Sequence, residues 1–159
     1  MPFLRPDDLA RDESKVIDSV IYTIDNLEDE FDYVIVLQPT QPIRKVEEID
    51  EAIKEIISKG VDSLVSVSKV RQHPILMKNI DDNGFAVSLL SANSTVRRQD
   101  FSDIYIVNGS LYINKINTID ENTSLNDNKL AYIMDYDVID IDTNEDLKKL
   151  KREFITCLK

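Results

Sequence analysis

Apolar positions along this chain fall into two rhythms. Over residues 12–30 they recur at every third or fourth place, at Val16, Ile17, Val20, Ile21, Ile24 and Leu27, which predicts an amphipathic helix. Residues 33–37, YVIVL, form an unbroken apolar run, which predicts a strand buried on both faces. A second helical stripe follows over 46–57, carried by Val46, Ile49, Ile53, Ile56 and Ile57, and Lys59-Gly60 suits its stop. Residues 62–70, DSLVSVSKV, alternate in their second half and predict another strand. Strand, helix and strand with short joints are the pattern of a right-handed crossover in a parallel sheet, and hence of an α/β fold. Ligands of such sheets sit beyond the carboxyl ends of the strands, and Gln38 stands at that end of the first one.

The second half is less regular. Residues 78–87 predict a hairpin, because Asp82-Asn83-Gly84 tolerates positive φ. Residues 88–103 are polar and loop-like, as are 120–129. The apolar stretches 104–107 and 110–113 flank Asn108-Gly109, a pair that serves either a tight hairpin turn or a bulge within one strand. Strands are expected at 130–134 and, briefly, at 138–141. A helix is expected over 144–158, with Leu147, Leu150, Phe154 and Leu158 on one side.

Composition narrows the function classes. A chain of 159 residues favours a single domain with a sizeable core. With 30 acidic against 19 basic residues the net charge is -11, which disfavours nucleic acid as a partner. A small anionic substrate is still compatible, held by local arginines or by a divalent cation. Cys157 is the only cysteine, so no internal disulfide forms. No apolar stretch approaches the ~20 residues of a membrane span, and the N-terminus lacks a signal-peptide apolar region. A cytoplasmic protein without a membrane partner is expected.

Two groups of residues could carry chemistry. Gln38-Pro-Thr-Gln-Pro-Ile-Arg44 ends a greasy run with two amides, a hydroxyl, two prolines and a guanidinium. The prolines fix φ and remove two backbone donors, so the segment is stiff and cannot extend the sheet. Gln38 offers a donor and an acceptor, and Arg44 can fork onto a carboxylate or phosphate. The competing reading is a stiff strand-to-helix turn with Arg44 solvated. The second group is Asp140-Ile-Asp142-Thr143, whose carboxylates would share one side of an extended chain. Such a pair suits Mg²⁺, which takes one or two carboxylates plus phosphate oxygens and waters. Thr143-x-x-Asp146 also resembles a capping box, so part of this segment is explained by the final helix. Arg97 and Arg98 suit an anionic ligand or a solvated loop. His73, alone in its class, is read as structural or solvent-exposed, and Cys157 as a packing residue. Ser14, Ser66 and Ser68 have no nucleophile-elbow setting.

FLRPDDLARD (3–12), VLQPTQPIR (36–44), VDSLVSVSKVRQHP (61–74), RRQ (97–99), VNGSLYI (107–113) and VIDIDTNEDL (138–147) follow one another in this order. Together they resemble the acylneuraminate cytidylyltransferases, the CMP-sialic acid synthetases, over nearly the whole chain. That resemblance implies a Rossmann-like nucleotidyltransferase sheet of the nucleotide-diphospho-sugar transferase type. It also implies a homodimer, and a Mg²⁺-dependent reaction joining CTP to a nonulosonic acid with release of pyrophosphate. It implies that Asp140 and Asp142 hold the metal, and that Gln38 and Arg98 bind the sugar acid. Asn108 would line the sugar pocket, and Arg5 would belong to the nucleotide end. Residues 1–159 would be one α/β domain, with 75–115 as a dimerisation and sugar-site extension. The family opens with a strand and a basic Ser-Lys loop, whereas this chain starts at the segment that follows the family's third strand. An N-terminally truncated sheet, inactive alone, is therefore expected. Two further departures are Val16, where a contacting serine is common, and Ile106, where some members carry a sugar-binding arginine. The alternatives are a non-catalytic sugar-acid-binding or oligomerisation module, and a cytidylyltransferase for another acid such as 3-deoxy-manno-octulosonate.

Overall fold

A computed structural model describes the backbone of residues 3–90, 97–134 and 139–157, and their side chains apart from Arg98 and 153–157. In chain order the elements are α1 (Val16–Asp25), β1 (Tyr33–Val36), α2 (Val46–Lys59), β2 (Ser63–Lys69), β3 (Lys78–Ile80), β4 (Ala86–Ser88), β5 (Tyr105–Lys115), β6 (Leu130–Ile133) and α3 (Asn144–Cys157). Four strands make the main sheet in the order β1-β5-β2-β6, and β3 pairs with β4 separately. β5 runs antiparallel to both β1 and β2, while β2 and β6 are parallel. β1 and β2 therefore point the same way, as a crossover through α2 requires, but an antiparallel strand has been slipped between them.

The core lies between α2 and the sheet. Ala52 and Ile56 from α2 pack against Leu64, Leu111, Ile113 and Met134, all at most 4% exposed. Val65, Val67 and Tyr112 form a smaller cluster of their own. α2 follows from its stripe of apolar residues, and Gly60 ends it in the left-handed region at φ 61°, where its N–H reaches back to the carbonyls of the last turn. Among the described residues no helix is long and apolar enough to cross a membrane.

Several elements differ from expectation. The helix expected over 12–30 is shorter at both ends. Asp7–Ala10 forms a 3₁₀ turn, and the Ser14 hydroxyl ties back to the Asp8 carbonyl, which holds 11–14 out of the helix. At the far end Asn26 leaves helical geometry, with its side chain donating to the Tyr22 carbonyl. β1 is not buried on both faces. Among the described residues it pairs only with β5, and Ile35 is 37% exposed. Of the strand expected at 138–141, Val138 lies outside the described residues and the rest is not strand. Ile139 is buried there, and the Ile141 N–H donates to the Thr40 carbonyl at 2.9 Å, so the segment is bound to a loop instead of a sheet. Leu158 also lies outside the described residues, as do the side chains of Phe154 and Cys157.

The hairpin at 78–87 is present. The Asp81 carboxylate accepts from the Asn83 and Phe85 N–H groups, and Gly84 takes φ 84°. Asn108-Gly109 resolves as the bulge and not the turn. Val65 faces Tyr112 and Val67 faces Val107, so four residues of β5, 108–111, lie against one of β2, Ser66. This bulge bears directly on the site.

Candidate active site

The 38–44 segment leaves β1 and folds over the β5 bulge. A turn closes it, with the Gln41 N–H on the Gln38 carbonyl at 3.1 Å. Arg44 donates to that same carbonyl, so its guanidinium braces its own loop. Gln41 is 1% exposed and points beneath the loop into the bulge. Its Nε2 donates to the Asn108 carbonyl and, at 3.4 Å, to Asp140 Oδ2, and its Oε1 accepts from the Ser110 hydroxyl. Buried polar groups that find partners stabilise, whereas orphaned ones cost about 1–3 kcal/mol each.

Gly109 makes this packing possible. Its φ of 76° belongs to the region glycine favours, and a Cβ there would lie 2.8 Å from Gln41 Nε2 and 3.2 Å from Gln38 Oε1. Asn108 is held on both sides. Its Oδ1 accepts from the Ser66 hydroxyl at 2.5 Å and the Ser110 N–H at 3.1 Å, and its Nδ2 donates to the Ser68 hydroxyl at 2.9 Å. Ser66 in turn accepts from the Leu111 N–H. The serines of β2 thus act as braces, in keeping with their lack of a nucleophile setting.

Two cavities flank these residues. One of about 490 Å³ is lined by Gln38, Tyr112, Lys15, Val16 and the 121–126 loop. The Tyr112 hydroxyl donates to Asn126 Oδ1 at 2.9 Å. Burial and then the Asp140 charge raise the Tyr112 pKa. The other, of about 520 Å³, is lined by Asn108, Ser68, Arg71, Met77 and the exposed Ile106. Gln38 and Asn108 therefore face different cavities.

The six residues singled out from the sequence are not all gathered. Gln38, Asn108 and Asp140 meet around the bulge through Gln41. Asp142 is exposed at a bend, since Thr143 and Asp146 form a reciprocal capping box at the start of α3. No strand forms over 139–142, where Asp140 is exposed and Asp142 sits at the bend. Asp140 reaches the site through the Ile141–Thr40 hydrogen bond. Arg5 donates to the Ser19 hydroxyl on α1 at 3.2 Å and lines neither cavity. Arg98 opens a 3₁₀ turn, and its side chain lies outside the described residues. Arg97 pairs with Asp100 at 2.9 Å. His73 is tied into its own loop. Its Nδ1 accepts from the Ile75 N–H, and its ring stacks on Phe101 with centroids 4.5 Å apart.

Gln41 went unassigned in the sequence, where it was only the second amide of a stiff loop. Its partners lie 67 to 99 residues away in sequence, and no local pattern records them. Among the described residues no cluster of three or more His, Cys, Asp or Glu could hold a metal. Mg²⁺ asks for less, because one or two carboxylates suffice when substrate oxygens complete the shell.

No family model matches the chain. The N-acylneuraminate cytidylyltransferase of Streptococcus agalactiae serotype V is 33% identical over 145 residues, 90% of this chain and 35% of that protein. The CMP-N,N'-diacetyllegionaminic acid synthase of Legionella pneumophila is 38% identical over 127 residues, 78% of this chain and 54% of the relative. N-acylneuraminate cytidylyltransferase A of Danio rerio is 30% identical over 144 residues, 87% of this chain and 33% of the relative. The chain thus spans a third to a half of these relatives. Among solved structures, the 4-diphosphocytidyl-2C-methyl-D-erythritol synthase of Anaerococcus prevotii superposes with a TM-score of 0.59. It is 14% identical and covers 93% of this chain and 74% of its own, which establishes the nucleotidyltransferase fold alone. Sequence and fold agree that this chain is, over most of its length, a homologue of the acylneuraminate and legionaminic acid cytidylyltransferases, spanning part of theirs.

Proposed function

We propose that the chain serves the activation of a sialic-acid-like nonulosonic acid, which displaces pyrophosphate from CTP to give the CMP-sugar. The observation that carries this reading is the meeting of Gln38, Asn108 and Asp140 around one glycine bulge. In it the amides that would bind a polyhydroxylated acid stand beside a carboxylate suited to a cation. The relatives' names support the substrate class.

In this reading Gln38 presents its amide to the sugar acid from the rim of the 490 Å³ cavity, and Asn108 lines the separate 520 Å³ cavity on the other side of the bulge. Arg98 binds the acid's carboxylate, and Arg5 serves the nucleotide end. Mg²⁺ fits the donor set. Asp140 and Asp142 are exposed carboxylates one residue apart, hard oxygen ligands open to water and phosphate. When bound, the ion would offset charge on the phosphate oxygens and the leaving pyrophosphate. A homodimer formed through 75–115 and a cytoplasmic setting complete the proposal.

The test is pyrophosphate release from CTP and Mg²⁺ with a panel of nonulosonic acids. With the N-terminal portion of a relative supplied, release that depends on the acid and disappears in Asp140→Asn is the expected result, and robust release by this chain alone would contradict the expectation that it is inactive by itself. The second reading is a sugar-acid-binding module without catalysis, and it draws on the partial span of the relatives. Calorimetric binding of the acid with no binding of CTP and no release would favour it.

A further inference from the structure

We infer that Gln41 is the positioning residue of the candidate cation site, orienting the Asp140 carboxylate against the bulge that carries Asn108. The inference rests on Asp140 being a cation ligand, as proposed above.

The argument begins with an oddity. A glutamine at 1% exposure needs a full set of partners, and Gln41 has three on two different segments. The Asn108 carbonyl can only accept, so the amide nitrogen must lie on that side, and its second hydrogen is then directed at Asp140 Oδ2. The Ser110 hydroxyl satisfies the opposite oxygen and holds the amide plane. Room for that plane exists only because residue 109 has no side chain. The backbone adds a second tie, the Ile141 N–H on the Thr40 carbonyl, which brings the segment after Asp140 against the residue before Gln41.

The chemical type of the donor matters. An arginine or lysine at this place would pair with the carboxylate and compete with a cation for its charge. A neutral amide holds one carboxylate oxygen in place and leaves the full negative charge for a metal. Hydrogen-bonding partners of this kind orient metal-ligating carboxylates, and their loss typically weakens metal affinity about 10–100-fold. A purely structural Gln41, stapling loop to bulge, would instead affect stability alone.

Mn²⁺ affinity of the full chain, read from the paramagnetic signal of free Mn²⁺, separates the two. The wild type binds, Asp140→Asn does not, and Gln41→Met binds about 10–100-fold more weakly. Gln41→Asn, an amide one methylene shorter that keeps a polar group in the loop, weakens binding similarly and serves if the methionine variant does not fold. Ser66→Ala unties the same bulge without touching Gln41, so it lowers the melting temperature and leaves Mn²⁺ affinity unchanged. Equal affinities for wild type and a folded Gln41 variant, with Asp140→Asn still defective, would overturn the inference and leave the cation site standing. Equal weakening in Ser66→Ala would overturn it too, as general loosening. A wild type that binds no Mn²⁺, or an Asp140→Asn that binds normally, would remove the cation site and the inference with it.

Discussion

At the scale of single residues the site depends on Gly109. An alanine there must adopt φ near 76°, a left-handed geometry that costs roughly 1–2 kcal/mol, and its methyl would press on Gln41 and Gln38. Gly109→Ala is expected to lower unfolding stability by about 2–3 kcal/mol in urea denaturation, more than backbone strain alone gives. A loss within 0.5 kcal/mol would mean that the amides move aside freely. The contrast between Gln38 and Gln41 shows how far such a site can be read from sequence. Two amides in a proline-stiffened loop suit either a binding site or a stiff strand-to-helix turn. Which of them faces a ligand depends on contacts with residues 108, 110 and 140, and a loop without periodicity gives no face from which to infer them. Asp140 illustrates the same limit. Its ties, the Ile141 N–H on the Thr40 carbonyl and the amide of Gln41 on its carboxylate, run to residues about a hundred places away that no local pattern records.

At the scale of elements, local pattern and long-range pairing part company. α2 was legible because its stripe and its terminal glycine are both local signals, and both are met. The capping box of α3 was legible for the same reason. Thr143 donates its hydroxyl and its backbone N–H to Asp146, and the Asp146 carboxyl is held below its usual pKa, chiefly by that hydroxyl. The folded pKa is lowered, so this stabilisation is present above the unfolded value near 3.8 and is lost as pH falls through the folded value. Asp146→Asn should therefore show a shallower loss of stability than wild type in acid melts below about pH 4. Coincident acid profiles would contradict the cap. β1 was misjudged because an apolar run records burial and not the number of neighbours. Nothing in YVIVL says that, among the described residues, β1 pairs on one side only, and nothing in 63–69 says that an antiparallel β5 separates it from β1.

At the scale of the whole molecule, the exposed apolar surface of the β3–β4 hairpin supports the proposed dimer. Phe85 is 69% exposed, and Val87 and Leu89, at alternate positions after it, are half-exposed, while Ile80, 68% exposed, pairs with Ala86 on the other face. Exposed apolar surface of this kind marks interaction sites. Sedimentation velocity is expected to show a dimer for the wild type and a monomer for Phe85→Asp, and a monomeric wild type would contradict the assignment. Under the proposed function the sugar acid and CTP, both anions, would have to be drawn in by local groups against the repulsive background of a net charge of -11. In that proposal Asp140 and Asp142 hold a cation, and Gln38 takes a polar, uncharged part in recognition. The most direct test of the account is calorimetric titration, in Mg²⁺, of N-acetylneuraminate and N,N'-diacetyllegionaminate into wild type and Gln38→Ala. The account predicts saturable binding of at least one acid by the wild type, weakened about tenfold in the variant, as the loss of a hydrogen bond to a bound ligand would give. Binding of neither acid, or identical affinities in the two proteins, would contradict it.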